Sequence, residues 1–400
     1  MKKLVIFLVV ILLAFAGFLT WLSYQPETHM ALTNEEAPAY DGAMSEEAAE
    51  AEVRGLDYEA IEALHASDEV IMSVYGEGVT WGDYYAWLYM NGMQVETFFE
   101  QMAMYYGMSA DWEGSVGDGS GMIYAQLPPA AAEDTLLRIV AIEKMAAEKG
   151  SELSEESAAA LEDKALAEAV LGEGAAVEDL LTTLEEMHMS LDTYKRISRA
   201  NFLYSDILTE EFGKDGEKVS DEDAGLWLGE QGYMAANHIL LMTTNKDTGE
   251  NLDEAAAAEQ KAKAEEIYAE LSAIDNVEER VARFLELKEE YDEDTGKTYY
   301  PNGYTFTSGT MVSEFENAVK TMEAYELSEP VKSSFGWHVI MRLPLGADNS
   351  MSDSSGAIVP AGWLYAQQKL GSELEAYMDD SAVEYAEGFE VPDLTKFIKE

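Results

Sequence analysis

The sequence predicts an α+β fold: a small sheet flanked by helices, attached to a mainly helical region, with a membrane-spanning helix at the N-terminus. Three observations predict it. From residue 233 onward, short runs with strand-like alternation are separated by helical stretches. Between residues 68 and 232, after one strand, apolar residues recur at the three-and-four spacing of helices with one buried face. The opening "MKKLVIFLVVILLAFAGFLTWLS" follows two lysines with about nineteen mostly apolar residues, enough to cross a bilayer core.

The N-terminal run exceeds the core of a cleavable signal and lacks an Ala-x-Ala site behind it, so residues 1–23 read as an uncleaved signal-anchor. Lys2 and Lys3 would stay cytoplasmic, leaving everything beyond residue 23 extracytoplasmic, or secreted if the segment is removed. Residues 24–67, rich in Ala, Glu and Pro, read as a flexible acidic linker with too few large apolar residues for a core.

Residues 68–232 read as a helical domain. Val70 to Tyr75 suggests a strand, Gly76 and Gly78 a turn, and Thr80 an N-cap for a helix carrying Tyr84, Trp87 and Leu88. "VETFFEQMAMYYG" supplies a second helix. "PPAAAEDTLLRIVAIEKMAAEKG" opens with prolines suited to a first turn and stops at a glycine, and Ser154 caps the next helix. Ser190 starts a longer one, with Tyr194, Ile197, Asn201, Tyr204 and Leu208 on a single face, and Ser220 caps the last.

Composition narrows the function. A formal charge of -53, from 25 basic and 78 acidic residues, opposes binding to a phosphate backbone, so no nucleic-acid partner is expected. The chain has no cysteine, which removes disulfides, thiolate chemistry and Cys-ligated zinc. "GSVGDGSGM" lacks the Gly-Lys-Ser/Thr of a phosphate loop, and "YDEDTGKTY" lacks the glycine position and closing Glu of a calcium loop. No metal and no cofactor are expected.

Residues 233–346 read as a separate α+β domain: strand "MAANHILLMT", two helices, a turn-rich "TGKTYYPNGYTF", a short helix "MVSEFENAVKTM", the link "LSEPVKSS" and a closing strand "GWHVIMRL". Two of the five histidines, His238 and His338, fall in its first and last strands. A lone strand histidine is commonly a packed residue satisfied by a backbone neighbour; two invite a joint reading. The elements "NHILL", "FLELKEEYDED", "NGYTFTSGTMVSEFENAV" and "LSEPVKSSFGWHVI", in this order, resemble the parvulin family of peptidyl-prolyl cis-trans isomerases.

That resemblance implies that His238 and His338 lie side by side in the sheet under a substrate groove. It puts Asp294 where the family has a Cys or Asp near the reacting amide, Met311 and Phe315 at the apolar pair that holds the proline ring, and Phe306 in support. Where phosphate-specific members carry a basic loop, this chain has "MTTNKDTGEN" with the single Lys246, so phosphoserine specificity is not expected. Twisting an X-Pro bond faces a barrier of about 18–20 kcal/mol and breaks no bond. A catalyst need only seat the proline, exclude water and bind the twisted amide best. Met311 and Phe315, four apart on a helix, would line one wall, the histidine pair would form the floor, and Asp294 would orient the pair or tune the field near the carbonyl.

The helical region looks like the chaperone domain of extracytoplasmic foldases of the PrsA/SurA kind, and residues 347–400 would pack back on it. The resemblance implies partners that are unfolded or partly folded exported polypeptides containing X-Pro bonds, with the membrane engaged by the N-terminal helix. The alternative is a non-catalytic holdase with an inert parvulin domain.

Overall fold

The computed structural model describes residues 54–106, 111–117, 120–245, 248–379, 381 and 383–399. The expected N-terminal span, most of the linker and Lys246 lie outside the described residues; among these, no helix is long and apolar enough to cross a membrane. The chain divides into two compact units, one built from residues up to Ile207 together with those from Glu373 onward, the other from Leu208–Ser372.

In the first unit, order begins earlier than residue 68. Helix α1 (Tyr58–Glu62) is capped by the Asp57 side chain and buries Ile61, and Leu56 is buried as well. These two apolar anchors end the linker sooner than its Ala/Glu-rich composition predicts. Strands β1 (Val70–Val74) and β2 (Glu77–Thr80) form a hairpin whose two-residue turn puts Tyr75 at φ 52 and Gly76 at φ 82. That left-handed pair matches the strand twist, and Gly78 lies within β2 rather than in the turn. The Thr80 hydroxyl accepts from the Asp83 N–H at 3.2 Å, starting α2 (Trp81–Tyr106).

Helix α2 is continuous where the sequence predicts two helices. Gly92 is not a stop: a Cβ there would lie 2.5 Å from the Tyr58 hydroxyl, so the glycine admits a packed tyrosine. Next come α3 (Leu127–Lys149), closed by left-handed Gly150, α4 (Glu155–Ala160) capped by Ser154, α5 (Asp163–Leu171), α6 (Val177–Glu186) and α7 (Leu191–Phe212). On α7 the buried residues include Tyr194, Ile197, Ala200, Leu203, Ile207 and Leu208, while Tyr204 is half-buried and Asn201 is exposed. Small Ala200, not polar Asn201, faces the core. Strand β9 (Val383–Tyr385) pairs antiparallel with β1, giving the order β2-β1-β9.

The second unit holds α8 (Asp221–Glu230), β3 (Met234–Met242), α9 (Glu254–Ser272), α10 (Val277–Tyr291), β4 (Tyr304–Phe306), α11 (Ser313–Lys320), β5 (Val331–Lys332) and β6 (Gly336–Leu343). A hairpin of β7 (Ser350–Ser352) and β8 (Ile358–Pro360) follows, then α12 (Ala361–Asp379). The main sheet is antiparallel with order β4-β3-β6-β5. Alternation along its two central strands divides the core. Ile239, Leu241, Val339 and Met341 pack with Ala264, Ile267, Leu271, Phe284 and Leu287 of α9 and α10. Ala236 and Ile340 pack on the other face with Phe306, Phe315 and Val319.

Strand β4 pairs only with residues 234–236 of β3. Beyond that point the strand edge is satisfied by the chain leaving α10. The Leu240 N–H donates to Asp292 Oδ1 at 2.9 Å, the Glu293 N–H to the Leu240 carbonyl at 2.9 Å, and the Met242 N–H to Glu293 Oε2 at 2.7 Å. An edge that would otherwise leave buried amides unpaired instead fixes the loop that carries Asp294.

Candidate functional site

The register of β3 against β6 decides whether the two histidines meet. His238 pairs with Ile340 and Leu240 with His338, so the imidazoles are diagonal neighbours on one face of the sheet. Their Nδ1 atoms lie 3.1 Å apart, and both residues are buried, at 7% and 3% exposure. On the far side of His238, Nε2 is 3.1 Å from Asp294 Oδ2. The Tyr304 hydroxyl donates to that same oxygen at 2.5 Å. On the far side of His338, Nε2 is 2.7 Å from Ser333 Oγ.

Proton order follows from these partners. The Asp294 carboxylate only accepts, so His238 carries its proton on Nε2 and offers a bare Nδ1 to His338. His338 then donates from Nδ1, leaving its Nε2 to accept from the Ser333 hydroxyl. The Phe335 N–H fills one acceptor position of Ser333 Oγ at 3.1 Å, which turns the hydroxyl hydrogen toward the ring. The result is a directed chain, Ser333 to His338 to His238 to Asp294, ending on one negative charge.

Electrostatics agree with that order. Burial first, then the neighbouring His238 ring, push His338 down to about 3, so it stays neutral. Burial pushes Asp294 up, but the bonds from His238, Tyr304 and the Gly296 N–H outweigh it and hold its carboxyl well below the usual range. Burial first and the bond to Asp294 second push the Tyr304 phenol far up, so it remains a donor.

The apolar side of the site is built by α11 and β4. The Phe315 ring stands edge-on to both imidazoles, with centroids 5.3 Å from His238 and 5.7 Å from His338, and the Phe306 ring is 5.9 Å from Phe315. Met311 packs partly buried against this cluster. It does not share a helix with Phe315: α11 begins at Ser313, and Met311 sits in the preceding turn. That turn is anchored from inside the helix by Glu316, which accepts from the Ser308 hydroxyl at 2.7 Å and the Gly309 N–H at 2.7 Å.

The fold thus brings together all six residues singled out in the sequence: His238, Asp294, His338, Met311, Phe315 and Phe306. Sequence pattern does not single out Ser333 or Tyr304, because a serine in a turn and a tyrosine in a short strand look ordinary. Nor does it single out Lys288, whose ammonium lies behind the site. There a weak signal exists: Lys288 falls four residues after buried Phe284 and beside buried Leu287, on the core face of α10. The whole assembly is a hydrogen-bonded imidazole pair and a fixed carboxylate roofed by aromatic and thioether groups. It can bind and polarise, and it contains no activated nucleophile.

Residues 238–343 match the family model of the PPIC-type PPIase domain, or rotamase. Foldase protein PrsA of Oceanobacillus iheyensis is 28% identical over 221 residues, covering 54% of this chain and 61% of that protein. Foldase protein PrsA of Staphylococcus aureus is 30% identical over 158 residues, 39% of this chain and 44% of that one. Foldase protein PrsA 1 of Bacillus cereus is 51% identical over 59 residues, 14% and 20% respectively. The chain therefore spans less than two thirds of the length of each of these relatives. Among solved structures, PrsA from Bacillus subtilis aligns over 78% of this chain and 91% of its own at 18% identity, with a TM-score of 0.24.

Proposed function

We propose, for a chain whose residues 238–343 form a PPIC-type parvulin domain homologous to the PrsA foldases, that it is a peptidyl-prolyl cis-trans isomerase assisting the folding of exported proteins. The observation that carries the reading is the 3.1 Å contact between His238 and His338 beneath Phe315. In this reading the prolyl ring sits against Met311 and Phe315, with Phe306 behind them, and the imidazole pair forms a floor of fixed polarity. Twisting the amide localises the nitrogen lone pair and removes the polar planar form that water favours, so a dry apolar seat lowers the barrier. Asp294, kept ionised, orders the histidine protons and supplies a field along the twisting bond.

Residues 68–232 act in this proposal as a chaperone-like domain joined by the returning residues 347–400, and 233–346 as the isomerase. Clients are unfolded exported chains, and residues 1–23 tether the protein to the membrane with the rest outside. Membrane fractionation and N-terminal sequencing of the mature protein test the tether.

The activity is tested with a protease-coupled X-Pro peptide assay on the full chain, alongside His238→Ala and Met311→Ala. Acceleration that both variants weaken is the expected result. An unmutated chain no faster than spontaneous exchange, yet still suppressing aggregation of an unfolded protein, would replace the isomerase reading with an inert parvulin domain in a holdase.

A further inference from the structure

Lys288 is 6% exposed, and nothing in the proposed chemistry uses it. Its Nζ donates to Asn237 Oδ1 at 2.7 Å and to the Pro301 carbonyl at 3.0 Å. Asn237 Oδ1 also accepts the backbone N–H of His238 at 2.9 Å. Pro301 stands three residues before Tyr304, and Gly303 between them is held at φ 102, where a Cβ would meet the Ala236 carbonyl at 2.8 Å. One ammonium therefore grips both the strand residue next to His238 and the turn that delivers the Tyr304 hydroxyl to Asp294.

The cost of burying this cation is considerable, and burial pulls Lys288 below the usual amine value against the attraction of Asp292 and Asp294. Asp292 is itself 6% exposed, and its Oδ2 has no hydrogen-bond partner among the described residues. Asp292 Oδ1 meanwhile accepts the Leu240 N–H and the Asp294 N–H, the latter at 3.2 Å. An apolar residue of similar length would fill the same volume without desolvating a charge. The geometry is what distinguishes lysine there, because one side chain bonds both to Asn237 on β3 and to the turn that leads into β4.

We propose that Lys288 is a positioning residue that sets the separation of His238 from the Tyr304–Asp294 pair, and so fixes the direction of the proton chain through the two imidazoles. This rests on the isomerase reading for its kinetic consequence, but not for its structural one.

The full chain labelled with nitrogen-15 at its five histidines allows each ring's tautomer to be read by long-range proton-nitrogen correlation. His65 and His188, in the other unit, serve as internal controls. In Lys288→Met the His238 and His338 ring signals should move toward mixed tautomers while His65 and His188 hold. X-Pro kcat should fall about tenfold with KM within about twofold. A folded Lys288→Met with unchanged His238 and His338 signals overturns the proposal. Should that variant not fold, Lys288→Gln, shorter and uncharged with Asn237 left in place, decides: shifted His238 signals support it and unshifted ones overturn it. If the unmutated chain has no turnover, the isomerase reading fails while the ring signals still answer for Lys288.

Discussion

His338 donates its Nδ1 proton to His238 across 3.1 Å, and that one bond joins a serine in a turn to a carboxylate on a loop about forty residues away in sequence. Because each member of the row is satisfied by the next, removing one leaves its neighbours buried with unmet bonding capacity.

His338→Gln cannot sustain the row, since an amide does not place a donor and an acceptor at the two imidazole nitrogens. We expect a loss of about 1–3 kcal/mol in the free energy of unfolding by urea, the cost of stranding buried polar groups. A midpoint and slope equal to those of the unmutated chain would show that the ring's bonds contribute nothing net.

Acid should weaken the second unit in two stages. Unfolded histidine takes up a proton near pH 6.5 whereas folded His338 holds out to about 3, so the unfolded state binds more protons in that window and stability falls as pH drops through it. The Asp294 carboxyl is depressed in the fold, so its contribution, present above about pH 3.9, is lost as pH falls below that value. Unfolding curves from pH 7 to 4 for the unmutated chain and His338→Gln should converge by up to about 1.4 kcal/mol per pH unit. Parallel curves would refute a neutral folded His338.

Tyr304→Phe deletes one of the donors that keep Asp294 ionised while keeping the ring. The acid limb attributed to Asp294 should shrink, still beginning near pH 3.9 but ending at a higher pH, and stability at pH 7 should drop by about 1–2 kcal/mol. X-Pro kcat should fall more than KM rises, because the phenol orders the pair rather than touching the proline. A pure KM effect in the peptide assay would place Tyr304 in substrate contact instead.

Met311→Ala removes part of the apolar seat at a partly exposed turn. We expect KM for an X-Pro peptide to rise about threefold to tenfold, with unfolding changed by less than about 1 kcal/mol. A large loss of stability with unaltered KM would assign Met311 to the core alone.

Gly336 begins the strand that carries His338, and a Cβ there would fall 2.1 Å from the Leu241 carbonyl. Gly336→Ala should cost about 2–4 kcal/mol because backbone has to move. Near-neutral stability by thermal melt would mean that the two strands can separate at that end without consequence.

Much of this was legible in the amino-acid pattern because it rests on local rules. The alternation in "NHILL" and "GWHVI" specifies which residues share a face, and burial of one face against α9 and α10 locks the register that makes the two histidines diagonal neighbours. Caps at Thr80, Ser154 and Ser220 announce helices through hydroxyls that accept their own first-turn amides. What failed depended on distant partners. The single helix Trp81–Tyr106 reads as two, Met311 reads as helical until Glu316 is seen pinning the turn before it, and Asn201 reads as part of a core face that Ala200 fills. Ser333, Tyr304 and Lys288 acquire their meaning from partners 5, 10 and 51 positions away, which no periodicity encodes.

The pairing of Met72 with Tyr385 has a temporal meaning for a chain synthesised from its N-terminal end. The sheet of the first unit cannot close until more than three hundred further residues have emerged, whereas the second unit is one uninterrupted stretch that can collapse as soon as its own last strand appears. The second unit would then be complete while the first still awaits its final strand, and a pause in emergence after residue 372 would leave β1 with an open edge.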